Sequence, residues 1–132
     1  MPSLPRNHNI ASQKFGIVTP WYAHQFGGAE RFIRQFAEQL YQHSFSVEVF
    51  TTCCSSPYVE WSTNDLPEGK TEINNLPVHR FPVDRRNADT YARLYRQLTE
   101  ESSTGITLQE EEQLFTNSIH SQALYDFIRQ HK

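Results

Sequence analysis

A chain of 132 residues, 37% hydrophobic and 13% aromatic, is long enough to bury one core and too short for two domains. Its net charge of -3 gives no electrostatic reason to bind nucleic acid or an anionic membrane surface. No stretch approaches the roughly 20 consecutive apolar residues of a membrane span, so no transmembrane segment is expected.

The opening stretch "MPSLPRNHNIASQ" is polar and lacks a signal-peptide core, so residues 1–13 read as a flexible leader and 14–132 as the domain. Phe15, Gly16, Ile17, Val18 and Thr19 form a short buried strand ended by Pro20. A loop then closes on Gly27 and Gly28. Beyond it Ala29, Phe32, Ile33, Phe36, Ala37, Leu40 and Tyr41 recur at helical spacing, one apolar stripe opposite Glu30, Arg31, Arg34 and Glu38. That stripe predicts Phe32, Ile33, Phe36 and Leu40 buried against the sheet. Phe45 to Phe50 read as a second strand, and strand, helix and strand make a βαβ unit with a parallel sheet.

Residues 55–77 are rich in Ser, Pro, Asn and Gly and read as a long loop with one short hairpin strand. A third strand is predicted from Val78 to Val83. Arg80, Arg85 and Arg86 read as an ordinary solvated basic edge. Tyr91, Leu94, Tyr95 and Leu98 mark a second helix. Thr107 with Glu110 forms a capping box for a third, whose face continues through Phe115, Ile119, Ala123 and Phe127. The acidic run at Glu110 to Glu112 therefore reads as a helix start.

The only cysteines, Cys53 and Cys54, are neighbours that cannot join without strain, which fits a reducing cytoplasm. The histidines show neither H-E-x-x-H nor paired Cys/His spacing, so no metal is expected. No Ser-His-Asp or Cys-His spacing identifies a nucleophile, and the catalytic residues stay unassigned. Glu30 reads as a helix-dipole residue, and His120 as part of a helix pattern.

In parallel α/β sheets ligands bind beyond the carboxyl ends of the strands, where Gly27 and Gly28 lie. Glycines there let the backbone approach a ligand, and free helix N–H groups favour an anion such as a diphosphate. A tight turn explains the same pair equally well. Neither G-x-G-x-x-G nor G-x-x-x-x-G-K-[ST] is present, which argues against a dinucleotide dehydrogenase and a P-loop kinase.

The wider string "GIVTPWYAHQFGGAERFIRQFAEQLYQHSFSVEVFTT" resembles the start of GT-B glycosyltransferases of the group 1, family 4 type. The resemblance rests on Gly27-Gly28-Ala29-Glu30, on Phe36-Ala37-Glu38-Gln39-Leu40, and on Val47 to Thr52. Where the family has Gly-His between helix and second strand, this chain has Ser44, which puts the helix cap in question.

The resemblance implies a Rossmann-like parallel sheet flanked by helices, the incomplete N-terminal half of a GT-B architecture. It implies transfer of a sugar from a nucleotide-sugar to a sugar or lipid-linked acceptor, without cofactor or metal. Gly27 and Gly28 would approach the donor diphosphate, while Trp21, Tyr22, His24 and Gln25 would line the acceptor side. Trp21 and Tyr22 could equally cover the sheet edge. The implied place is the cytoplasm, at the inner membrane surface where the acceptor is lipid-linked. The family's donor domain has no counterpart in these residues, so the chain reads as a fragment, inactive alone. A stand-alone phosphate-ligand module, or a piece completed by a partner chain with the donor domain, are the alternatives.

Overall fold

The computed structural model describes residues 13–22, 27–100 and 104–131. In chain order these form β1 (Lys14–Val18), α1 (Gly28–Gln42), β2 (Ser46–Thr52), β3 (Gly69–Ile73), β4 (Leu76–Phe81), α2 (Ala88–Thr99), α3 (Leu108–Thr116) and α4 (Gln122–Gln130). The sheet has the order β1-β2-β4-β3. β1, β2 and β4 run parallel, with Ile17 opposite Val49 and Val49 opposite Val78. This is an α/β fold consistent with a Rossmann-like arrangement.

The sheet is mixed and not wholly parallel, because β3 pairs antiparallel with β4. Asn74 and Asn75 both take positive φ, at 49° and 66°, which is the backbone of a two-residue hairpin turn whose twist suits antiparallel strands. The expected hairpin strand within 55–77 is β3. The third parallel strand starts earlier than its sequence pattern indicates, at Leu76.

Strand alternation sorts the sheet's two faces. Val47, Val49, Leu76 and Val78 turn toward α1, and Phe15, Ile17, Ile33 and Leu40 pack on them around fully buried Ala37. Phe50, His79 and Phe81 turn toward α4, where the Phe127 ring lies 5.3, 5.7 and 5.0 Å from theirs. Helices thus cover both faces.

The predicted core stripe of α1 needs correction. Phe32 and Phe36 are 64% and 48% exposed and stack on each other, and the buried line is Ile33, Ala37 and Leu40. The helix cap, in contrast, takes a form usually built on glycine. Ser44 takes the left-handed conformation with φ 66°, its N–H donates to Tyr41 O at 2.9 Å, and the Phe45 N–H donates to Leu40 O at 3.1 Å. Serine supplies a geometry usually left to glycine.

The predicted single helix from Thr107 to Phe127 is two. Thr107 and Glu110 do form the reciprocal capping box. The helix then ends at Asn117, and Ser121 starts α4 by accepting from the Leu124 N–H. Polar Asn117, Ser118 and Ser121 offer side-chain partners that compete with the helical backbone, which is why an apolar period alone reads through this break.

Candidate functional site

The loops at the carboxyl ends of β1, β2 and β4 bring together side chains far apart in sequence. After β1, Trp21 is half-buried with its ring 5.8 Å from that of Trp61, in the loop after β2. Trp61 in turn meets Tyr91 at 5.2 Å, and Tyr91 stacks with Tyr95 at 5.8 Å. The Arg86 guanidinium lies 4.6 Å over Trp61 and 5.5 Å from Tyr91, and donates to both carboxylate oxygens of Glu60 at 2.7 and 2.9 Å. It also donates to Asn117 O at 2.9 Å. That fork holds the Glu60 carboxyl down at about 2, chiefly through the hydrogen bonds from Arg86.

Of the basic edge expected at Arg80, Arg85 and Arg86, only Arg85 is exposed as an ordinary solvated side chain. Arg86 is engaged as described, and Arg80 is 6% exposed. Its guanidinium donates to Tyr22 O at 2.7 Å and Thr52 O at 3.3 Å, tying the loop after β1 to the end of β2. Burial lowers its pKa, against which Cys53 and Asp65 act. The strand period does give Arg80 away, because it shares the inward face with Leu76 and Val78.

Tyr22 is a core residue, 3% exposed, with a buried hydroxyl that has no hydrogen-bond partner among the described residues. Burial first, then the Glu38 charge, raises its pKa. Of the two aromatics, only Trp21 joins the aromatic wall. His24 and Gln25, predicted on the acceptor side, lie outside the described residues.

Gly27 caps α1 at φ 22°, with no side-chain cap bond. A Cβ there would collide with the Glu30 carboxylate, which folds back on the helix start. Gly28 begins the helix, and a Cβ at its position would meet nothing within 4 Å. The two glycines thus differ. Gly27 is required by backbone conformation, while the Gly28 position would accommodate a Cβ.

Sequence reasoning missed one pair. His120 lies between α3 and α4, not within a helix, and its Nδ1 is 2.7 Å from Asp84 Oδ2. The Asp84 N–H donates to His120 O at 2.8 Å, and the Gln122 N–H donates to Asp84 Oδ2 at 2.8 Å. No spacing rule could link residues 36 apart across a strand end and a helix start. Beside this pair a cavity of about 240 Å³ opens between the ends of β1 and β2 and the start of α4. Val18, Pro20, Ile119, Leu124 and Tyr125 line it with the hydroxyl residues Thr19, Thr52 and Ser121.

No group of His, Cys, Asp and Glu side chains suited to a metal occurs among the described residues, and no described helix is long and apolar enough to cross a membrane. Comparison of the chain with models of known protein families, with curated proteins and with solved structures returns no match.

Proposed function

We propose that this chain is the acceptor-side part of a GT-B type glycosyltransferase, which moves a sugar from a nucleotide-sugar donor to an acceptor. The observation that carries the reading is the set of loops at the strands' carboxyl ends. There Trp21, Trp61 and Tyr91 present an aromatic wall braced by Arg86 and Glu60. Aromatic faces suit the C–H faces of a sugar ring, and parallel α/β sheets bind their ligands at this end. The N-terminus of α1 at Gly28 would offer backbone donors to a diphosphate, which would have to displace the Glu30 carboxylate folded back there.

The nucleotide and sugar of the donor would have little wall opposite them on this chain. Pockets generally bury 70% or more of a small ligand, so the chain alone should hold a nucleotide-sugar no better than about millimolar. Calorimetry with several nucleotide-sugars tests this, together with a donor-turnover assay on the chain with and without the product of an adjacent reading frame. Turnover only in the presence of a second chain, or of downstream coding sequence, supports the proposal. Micromolar donor binding by the 132 residues alone favours the second reading, a self-sufficient phosphate-ligand module, which rests on the same helix N-terminus at Gly28.

A further inference from the structure

We infer that the open edge of β1 is a self-association surface. A second copy of this chain pairs its own β1 there, antiparallel about a two-fold axis, and joins two four-stranded sheets into one. Neither the pairing nor its test depends on the glycosyltransferase reading.

β1 and β3 are the two ends of the sheet, and only β3 is protected. Its five residues include Lys70 and Glu72, charges that discourage a further strand from adding to an edge. β1 has no charge, proline or bulge from Phe15 to Val18. Just beyond it the Thr19 N–H donates to Phe50 O at 3.1 Å. Alternate residues of a parallel ladder bond to opposite sides, so Phe15 and Ile17 serve β2. Gly16 and Val18 then turn their N–H and C=O groups outward, where no strand pairs with them among the described residues. A two-fold contact needs donors and acceptors in equal number, and these two residues supply both.

The helices beside this edge leave apolar side chains at it. α1 and α4 both pack on β2, from opposite faces of the sheet. On α4, Tyr125 lines a pocket together with Val18, and Ile128 follows three residues later; all three are exposed. On α1, Phe36 stands two residues, or about 200° of helix, from Glu38, whose clasp to Asn74 marks the β3–β4 side. Phe36 and the stacked Phe32 therefore belong to the opposite flank, the side on which the strand order puts β1. The four charges of α1, Glu30, Arg31, Arg34 and Glu38, all lie on its other faces. A patch of one charge sign would repel its own copy across a two-fold axis, and this flank carries none.

Spacing selects a whole copy over a bare strand. Pairing β1 with β1 sets the two β2 strands three strand spacings apart, roughly 14 Å, and the helices on them about as far. Helices in direct contact stand about 8–10 Å apart, so a gap remains on each face. Large side chains from both copies fill such a gap: Phe32 and Phe36 on one face, Tyr125 and Ile128 on the other. A lone strand on β1 would leave all four exposed.

Sedimentation velocity of the folded chain from about 5 µM to 1 mM should show a monomer–dimer equilibrium with Kd on the order of 10 µM. Amide hydrogen exchange at the two ends of that range locates the contact. Gly16 and Val18 amides should slow at least about tenfold at the higher concentration, while those of β3 stay unchanged. Val18→Lys charges the edge and Phe36→Lys charges the α1 flank, both at exposed positions. Each should raise Kd at least about tenfold and leave the unfolding midpoint of the dilute protein near that of the wild type. Should either variant fail to fold, exchange in the wild type still decides. A chain that stays monomeric throughout, dimers whose Gly16 and Val18 amides exchange as in the monomer, growth into open-ended assemblies, or unchanged dimerisation in either folded variant would each overturn the proposal.

Discussion

The two flanks of helix α1, one charged and one aromatic, meet different surroundings in the fold. On one flank Glu38 accepts from Asn74 Nδ2 at 2.7 Å in the β3–β4 turn and from Arg34 Nε at 3.0 Å, so this side is closed by a clasp to that turn. Phe32 and Phe36 lie on the other flank, turned away from that turn, and stay largely exposed. β1 and β3 are both edge strands, each with one sheet partner among the described residues, so the Glu38–Asn74 clasp and not the strand order sets the two flanks apart. An apolar stripe can thus be wider than the surface beneath it. Periodicity shows that a helix is amphipathic, and neighbours decide how much of the stripe is core.

The largest effect should come from reversing this contrast at two positions. Leu76 is fully buried beneath α1 on the closed side, so Leu76→Ala should cost about 2–5 kcal/mol. Phe36→Ser on the open flank should cost about 0.5 kcal/mol or less. Chemical denaturation of both variants measures the difference. Equal losses would break the comparison, since Phe36 would then be packed in the folded protein.

Arg80 offers the next step down. Arg80→Met leaves the Tyr22 and Thr52 carbonyls without their donor, and should cost roughly 2–3 kcal/mol despite relieving a buried charge. A neutral result would mean that the loop after β1 is held by packing alone.

Much of this was legible in the sequence. Strand, glycine turn, helix and second strand appear where the pattern of Ile17, Ala37 and Val49 puts them, and the Thr107–Glu110 box starts α3 as read. What was not legible depends on long-range neighbours. Burial of Phe36 depends on what lies beside that flank of α1, the fate of Arg80 on carbonyls from two other segments, and the Asp84–His120 pair on a helix break set by side-chain capping. The aromatic wall shows the same limit, because Trp21, Trp61 and Tyr91 have no common period and meet only through the loops.

A smaller effect sharpens the account of α1 by tightening its seated line. Leu40 and Phe45 bracket the turn in which Ser44 holds φ 66°, and a serine pays strain there that glycine avoids. Glycine gives up more freedom on folding, which offsets part of the relieved strain, and Ser44→Gly should stabilise by a net of about 0.5–1 kcal/mol. Thermal unfolding would show this as a raised midpoint. A loss of stability would mean that the serine side chain contributes more than its backbone strain removes.

The smallest effect concerns acid. Glu38, held by the Asn74 amide first and by Arg34, and Glu60, held by Arg86, both have lowered pKa values. A carboxyl whose folded pKa lies below its unfolded value stabilises the fold above the unfolded value, and that contribution fades as pH falls through the folded one. For Glu60 the window runs from 4.5 down to about 2. Its side chain is 48% exposed, so solvent and salt screen the pair and the change should be modest. Glu60→Gln should therefore match the wild type less well near neutral pH and approach it in acid, with a flatter decline in unfolding midpoint between pH 5 and pH 2 on the order of one carboxyl's contribution. High salt should shrink the same difference. Parallel acid limbs in the two proteins would show that the Arg86 fork orders the aromatic wall without stabilising the fold, leaving Glu38 at the β3–β4 turn as the closed side's acid-sensitive contact.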